Sequence, residues 1–354
     1  MIKIDKKNKF ISVFNPNTGF YIRTGVIKDG KDTGKDPFMA SFPELLDIGI
    51  MQTCVCAHKC NVDCYQKAIE ESGKNMSIKN FESILKQSKG KLFQVALGGR
   101  GDVDTHENFE EIVKLCRKYN IVPNFTTSGF LMTKEKANIC KKYCGAVAIS
   151  EHFADYTEKA LNLLLESGVK TNIHYVLSNK SIDTAINRLK NNSFKYGINA
   201  VIFLLYKPVG FGIEENMLNH NDSRVKKFFE LISKGNYHHK IGFDSCSCSG
   251  IVNFSNNINS NSLDFCEGAR YSGYIDANMN MMPCSFANQN SDWFVSLKKY
   301  TIQEAWDSEI FEKFRYSLRN SCNKCKDRQK CAGGCPLINQ ITLCNRKERK
   351  FKSL

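Results

Sequence analysis

Cys56, Cys60 and Cys64 stand four residues apart in a segment that begins at Cys54 and runs through Tyr65 to Gln66. Three thiolates can hold a 4Fe-4S cluster and leave its fourth iron without a protein ligand. An iron in that state can chelate the amino and carboxylate groups of a methionine moiety, and inner-sphere electron transfer into the sulfonium would then break a carbon–sulfur bond. A structural zinc site competes with this reading, because Cys54 or His58 could supply the fourth ligand that zinc takes. Plain burial of the thiols is the remaining alternative.

A second constellation follows in the order Cys266, Cys284, Cys322-X2-Cys325-X5-Cys331-X3-Cys335 and Cys344, with Ala332-Gly333-Gly334 inside the last tight spacing. Core packing does not produce such an order, and no zinc-finger pattern accounts for all seven residues. Cys246 and Cys248 precede the group and are candidates for an eighth ligand. Cys116, Cys140 and Cys144 fall on expected helices and read as small buried hydrophobes, although Cys140 and Cys144 are one helical turn apart.

The composition supports metal over disulfides. The chain has 354 residues, 16 of them Cys, and is long enough to bury a core without covalent staples. Its N-terminus, MIKIDKKNKF, lacks the apolar run and cleavage site of a secretory signal. No apolar stretch approaches the roughly 20 residues that span a bilayer. These features predict a soluble cytoplasmic protein, in a compartment where clustered thiols stay reduced and bind metal. The formal net charge of +14 suits an anionic partner, although thiolate ligands would lower it. No RNA-binding signature accompanies the charge, so nucleic acid is not the expected partner.

Elements able to position these thiols alternate between about Leu45 and Phe243. Short apolar runs at 46–51, 93–97, 122–126, 146–150, 172–177 and 201–205 read as strands, and amphipathic stretches such as 109–119 and 156–166 read as the helices between them. Pro123 marks the start of its strand or demotes it. The pattern is that of an α/β fold, a partial (β/α)6 TIM-like barrel with a small Cys-rich C-terminal iron-sulfur domain. The expected divisions are 1–43, a β-hairpin extension with Gly30 in its turn and Gly34 and Pro37 in the linker; 44–242, the barrel; and 243–354, a segment too poor in apolar periodicity for a core without a metal staple. The first cysteine loop then leaves the first strand at the C-terminal mouth, where barrel enzymes place their chemistry.

The run Cys56-Ala-His-Lys-Cys60-Asn-Val-Asp-Cys64-Tyr65 resembles the CX3CX2C-aromatic motif of the radical SAM superfamily, with a second spacer one residue longer; Cys54 stands close enough to replace one ligand. Leu97-Gly98-Gly99-Arg100-Gly101-Asp102 is similar to the family's GGE-type motif, with Arg100 in the place of the acid. The resemblance implies that Gly98, Gly99 and Asp102 face the cofactor's amino group, and that Tyr65, Thr127, Ser128 and Ser150 line its site. Polar residues at strand ends also serve as helix caps. The second constellation resembles a SPASM domain. By position, Cys322, Cys325, Cys331 and Cys344 would hold one auxiliary 4Fe-4S cluster and Cys266, Cys284 and Cys335 another, with Cys248 or Cys246 as the eighth ligand. Where the family has a Gly before the second cysteine this chain has Met279, and Asn278 or Asn280 is expected to take the left-handed turn.

The resemblance implies an enzyme with three 4Fe-4S clusters that cleaves S-adenosyl-L-methionine to a 5′-deoxyadenosyl radical and modifies a ribosomal peptide or protein by a thioether, a carbon–carbon crosslink or side-chain oxidation. Modification of RNA or of a small-molecule cofactor precursor is the alternative, and an iron-sulfur electron-transfer protein is the alternative of another class. Asp102, Glu151 and His174 are candidate proton acceptors, His174 reading more readily as a satisfied core residue. Expected partners are the peptide, a flavodoxin- or ferredoxin-type reductant and a separate leader-binding protein, since residues 1–43 are short for a leader-binding domain; no membrane is expected.

Overall fold

The computed structural model describes residues 1–60, 62–255, 259, 262–289 and 291–344. The last ten positions of the expected 243–354 division lie outside these. The N-terminus forms an antiparallel sheet of β1 (Ile2–Asp5), β2 (Phe10–Phe14) and β3 (Tyr21–Arg23), followed by a two-stranded ribbon, β4 (Ile27–Lys28) and β5 (Lys31–Asp32). Gly30 turns that ribbon at φ 74°, as expected, but the extension is more than one hairpin.

Parallel strands and helices then alternate: β6 (Leu45–Met51), α1 (Ile78–Ser88), β7 (Gln94–Gly99), α2 (Phe109–Lys118), β8 (Val122–Thr127), α3 (Lys134–Tyr143), β9 (Val147–Ser150), α4 (Asp155–Glu166), β10 (Thr171–Leu177), α5 (Ile182–Lys190), β11 (Ala200–Leu205), α6 (Ser223–Lys234) and β12 (Lys240–Phe243). Each strand bonds to the one before it. Right-handed crossovers that always advance in one direction put every helix on the same face of the sheet. Alternate strand residues meet those helices: Val95 and Leu97, Val147 and Ile149, Ile173 and Tyr175, Val201 and Phe203 are all buried. Helix α2 answers with Phe109, Ile112, Val113 and Cys116, one stripe at spacings of three and four. Side-chain caps from Ser77, Thr133 and Asp222 start α1, α3 and α6.

Six strand–helix units match the expectation, and each expected strand is present within two residues of its ends. Pro123 is the second residue of β8, which is paired on both edges. Strand β12 was not expected, and Gly242, near which the sequence division was placed, lies inside it. The glycine weakens the strand signal; a Cβ there would meet the end of the Ile202 side chain on β11, Cδ1 at 2.6 Å.

The C-terminal residues continue the same sheet. Strand β13 (Ser272–Ile275) lies parallel to the free edge of β6, and β14 (Asn280–Met282) and β15 (Val295–Ser296) follow antiparallel. Between β12 and β13 lies α7 (Cys248–Phe254); after β15 come α8 (Ile302–Trp306), α9 (Glu309–Asn320) and α10 (Arg328–Cys331). Ile275, Met281, Ile302, Trp306, Phe311 and Phe314 share one buried cluster with the parallel strands, so this region borrows the main core. Among the described residues no helix is long and apolar enough to cross a membrane.

Trp306 is fully buried, and its Nε1 donates to Ala40 O at 2.9 Å, tying the C-terminal region to the N-terminal linker. Trp306→Ala should lower unfolding free energy by about 3–5 kcal/mol in urea titrations; a loss below about 1 kcal/mol would show that the C-terminal helices do not share the core.

Candidate functional site

The first cysteine loop leaves the C-terminal end of β6. Cys56 is buried, while Cys54, Cys60 and Cys64 are half-buried and His58 is exposed. Cys54 Sγ lies 3.5 Å from Cys56 Sγ, and Cys56 Sγ lies 3.9 Å from Ser128 Oγ. The first two thiols titrate as a pair: the hydrogen bond between them lowers the Cys54 pKa and raises that of Cys56. Burial raises the Cys60 thiol, and the charges of Cys56, Cys64 and Asp102 add to the rise. All four thiols are thus electrostatic neighbours, the situation a cationic metal relieves.

Arg100 holds this loop. Its backbone N–H donates to Met51 O at 2.8 Å; its guanidinium donates through Nε to Gln66 O at 2.8 Å, through Nη1 to Gln52 Oε1 at 3.0 Å, and through Nη2 to Glu71. One planar fork grips both ends of the cysteine segment, a task a lysine point charge performs poorly. Gly99 and Gly101, at φ 115° and 121°, let the β7 end press on the loop, since a Cβ at either would collide with the carbonyl of Met51 or of Thr53. Nothing lies within 4 Å of where a Gly98 Cβ would be, so open space adjoins the loop there.

Asp102, read as a cofactor contact or base, is buried, and its oxygens accept from Ser128 N at 2.7 Å and Ser128 Oγ at 2.5 Å. Asp104 accepts from Thr127 Oγ1 at 2.7 Å and from Lys136 Nζ at 3.2 Å. The two carboxylates therefore fix the Thr127–Ser128 turn under Cys56. Glu151 pairs with Arg188 at 3.0 Å. Ser150 and His174 sit on the helix-free face of the sheet, adjacent in register, and His174 Nδ1 lies 3.3 Å from Thr126 Oγ1. Burial pushes the His174 pKa down to about 4, leaving a neutral ring.

The sequence reading passed over Asp47. It lies on the same face as Ala96 and Tyr274, its partners in register, and burial pushes its carboxyl up to about 6. Its signal was present: an acid interrupting the apolar run LLDIGIM. Tyr65 turns towards the second constellation, its ring 5.0 Å from that of Phe286, two residues beyond Cys284.

In that constellation Gly333 and Gly334 adopt φ 85° and 96°; a Cβ on Gly333 would meet Ser321 Oγ at 2.8 Å, and one on Gly334 would meet Thr342 Oγ1 at 2.6 Å. Met279 itself takes the left-handed position, φ 68°, in place of Asn278 or Asn280. Asp276 closes the turn by accepting Asn280 N at 2.8 Å, and burial of the Met279 side chain offsets the conformational cost. Cys248 donates to Lys330 O at 2.9 Å. Cys116 and Cys140 are buried in the main core, as expected for small hydrophobes. Among the described residues no three His, Cys, Asp or Glu side chains converge as one bound ion would require. The donors in both constellations are thiols, the set that iron-sulfur clusters take, and the open side of Gly98 leaves room beside the first.

No protein-family profile matches the chain, and no curated protein matches its sequence. Solved structures do. Streptococcus suis SuiB bound to precursor peptide SuiA superposes with a TM-score of 0.66 at 17% identity, over 88% of this chain and 80% of SuiB. Polyhistidine-tagged anSMEcpe with bound AdoMet gives 0.61 at 18% identity, over 84% of this chain and 90% of that one. Native anSMEcpe with bound AdoMet and the Cp18Cys peptide gives 0.60 at 18% identity, over 85% and 91%. The chain shares the fold of these proteins over most of its length.

Two measurements check the site. Arg100→Met should speed alkylation of the cysteine loop by iodoacetamide several-fold while Arg100→Lys has an intermediate effect; equal rates in all three proteins would remove Arg100 from the clamp. His174 charges near pH 4 in the fold and at about 6.5 when unfolded, so its contribution is intact above pH 6.5 and is lost as pH falls towards 4. His174→Gln should therefore retain about 1–2 kcal/mol that wild type loses between pH 7 and pH 5.

Proposed function

We propose that this chain is a radical SAM enzyme with a SPASM-like auxiliary region, spanning 44–242 and 243–354, that cleaves S-adenosylmethionine reductively and modifies a peptide. The observation that carries the reading is the clamped thiol loop at the C-terminal end of β6, beside the open side of Gly98, on a fold held in common with proteins crystallised with S-adenosylmethionine, AdoMet and peptides.

Cys56, Cys60 and Cys64 would hold the cluster, with Cys54 the one alternative ligand. When bound, that cluster supplies the electron that splits the sulfonium and releases a hydrogen-abstracting deoxyadenosyl group. The chain's own residues position and screen. Arg100 keeps the loop in one place, and Gly98 and Gly99 admit the cofactor's methionine end to the backbone. Asp102, with Ser128 occupying both its oxygens, supports the floor under Cys56 and leaves the amino-group contact to main-chain atoms. Ser150 faces the same space from β9.

Beyond that point the helix-free face offers Asp47, Thr126 and His174 to a substrate. Glu151 is engaged by Arg188, so neutral His174 and Asp47 are the residues placed to accept a substrate proton. A peptide substrate is supported by the peptide-bound neighbours and by the basic charge of the chain, which suits an acidic leader. A flavodoxin- or ferredoxin-type reductant, a separate leader-binding protein and a cytoplasmic location complete the proposal.

Anaerobically reconstituted, dithionite-treated protein should convert S-adenosylmethionine to methionine and 5′-deoxyadenosine, and Cys60→Ala should reduce this to background. A protein that holds its full metal and yields no deoxyadenosine would refute the reading.

A further inference from the structure

The second spacer of the first cysteine segment, Cys60-Asn-Val-Asp-Cys64, is one residue longer than the motif it resembles, and its acid reaches across the mouth of the fold. Asp63 Oδ2 accepts from Asn216 Nδ2 at 2.6 Å and from Tyr206 Oη at 3.3 Å, with Lys180 Nζ at 3.9 Å. Tyr206 and Asn216 belong to the segment between β11 and α6, and Lys180 to the turn after β10. Two of these donors are themselves fixed. Tyr206 Oη accepts from Ile213 N at 2.8 Å, and Asn216, 3% exposed, accepts at its carbonyl from Asn179 N at 2.9 Å. The backbone follows the same path: Cys64 O accepts from Phe211 N at 3.1 Å, and a Cβ on Gly210, which adopts φ 69°, would stand 2.5 Å from the carbonyl oxygens of Cys64 and Tyr65. The loop from β6 thus meets the loop from β11, although four strands separate the two in the sheet. One added residue extends the reach of a chain by up to about 3.5 Å, which is the use the longer spacer is put to.

Resting on the cluster reading above, we propose that Asp63 is a positioning residue of the first cysteine loop: its carboxylate ties the Cys60–Cys64 stretch to the loops after β10 and β11 and so sets where the third thiol stands. Arg100, from the end of β7, holds the flanks of the segment at Gln52, Gln66 and Glu71; Asp63 holds its middle from the other side. A carboxylate suits a position met by donors alone, because it accepts hydrogen bonds without having one to give. Two grips from different elements restrict the thiols between them before any metal arrives, and a ligand set that is held in advance keeps its metal better than one that must be gathered.

Alkylation by iodoacetamide, mapped residue by residue in the metal-free full chain, tests the tie without any metal. Asp63→Ala should raise the rates at Cys60 and Cys64 several-fold and leave Cys54 at its wild-type rate. Asp63→Asn, which keeps an acceptor oxygen, should restore the wild-type pattern. Asn216→Ala should reproduce Asp63→Ala, and the two together should add nothing to either alone, since both remove the same bond. In the anaerobically reconstituted chain, Asp63→Ala should surrender about four irons, one cubane's worth, to a chelator several-fold faster than wild type, while Asp63→Asn releases them at the wild-type rate. An unchanged rate at Cys64 in Asp63→Ala, an Asp63→Asn chain as reactive as Asp63→Ala, or additive effects of Asp63→Ala and Asn216→Ala would each overturn the assignment. A wild-type chain that takes up no iron would overturn the cluster reading instead, and the alkylation pattern would still decide whether Asp63 fixes the loop.

Discussion

Strand β6 is bonded along both edges, to β7 on one side and to β13 on the other, and the arrangement of both cysteine constellations follows from that double pairing. The first constellation leaves its C-terminal end. The second is built around the hairpin that begins with β13. Asp47 faces Tyr274 in register, and Gly49 has no side chain because a Cβ there would collide with the Tyr274 hydroxyl. The contact of Tyr65 with Phe286, and of Phe286 with Lys207, continues the same junction outward. A strand that stayed an edge, as in an isolated barrel, would leave the two groups of thiols on unconnected surfaces.

The helix-free face is chemically unlike the face under the helices. Valine, isoleucine and phenylalanine pack against α1–α6, whereas Asp47, Asn124, Thr126, Ser150, Asn172 and His174 occupy the other side. Several of these are already committed: Asn124 donates to Gln94 Oε1 at 3.0 Å, and Asn172 accepts from Asn199 at 2.8 Å. The carboxylates at the strand ends are likewise spent on scaffolding. Asp102 and Asp104 secure the turn beneath Cys56, and burying them is tolerable because each accepts two strong hydrogen bonds. What remains uncommitted is a small set of groups, at a depth where a neutral imidazole and a carboxylate of raised pKa are both at home.

Local signals were legible in the sequence and long-range ones were not. The β-branched run at 172–177 announced β10 within one residue, and the spacing at 109–119 announced the buried stripe of α2, because period and propensity are properties of neighbouring residues. The parallel pairing of β13 with β6 joins residues more than two hundred positions apart, and no local pattern encodes it. Arg100 was noticed only as a departure from a motif; its grip on Gln52, Gln66 and Glu71 depends on a loop conformation that the spacing does not specify. The turn at Met279 was placed on an asparagine by propensity, and tertiary burial of the methionine prevailed.

The central claim is that the thiols of the first loop carry a cluster whose remaining iron is reached by the sulfonium cofactor itself. Electron-nuclear double resonance on the dithionite-reduced chain, with S-adenosylmethionine labelled at its amino nitrogen, tests this most directly. The account predicts a nitrogen coupling to the cluster that disappears in Cys60→Ala. Binding of the cofactor to the iron-loaded protein without any such coupling would contradict it.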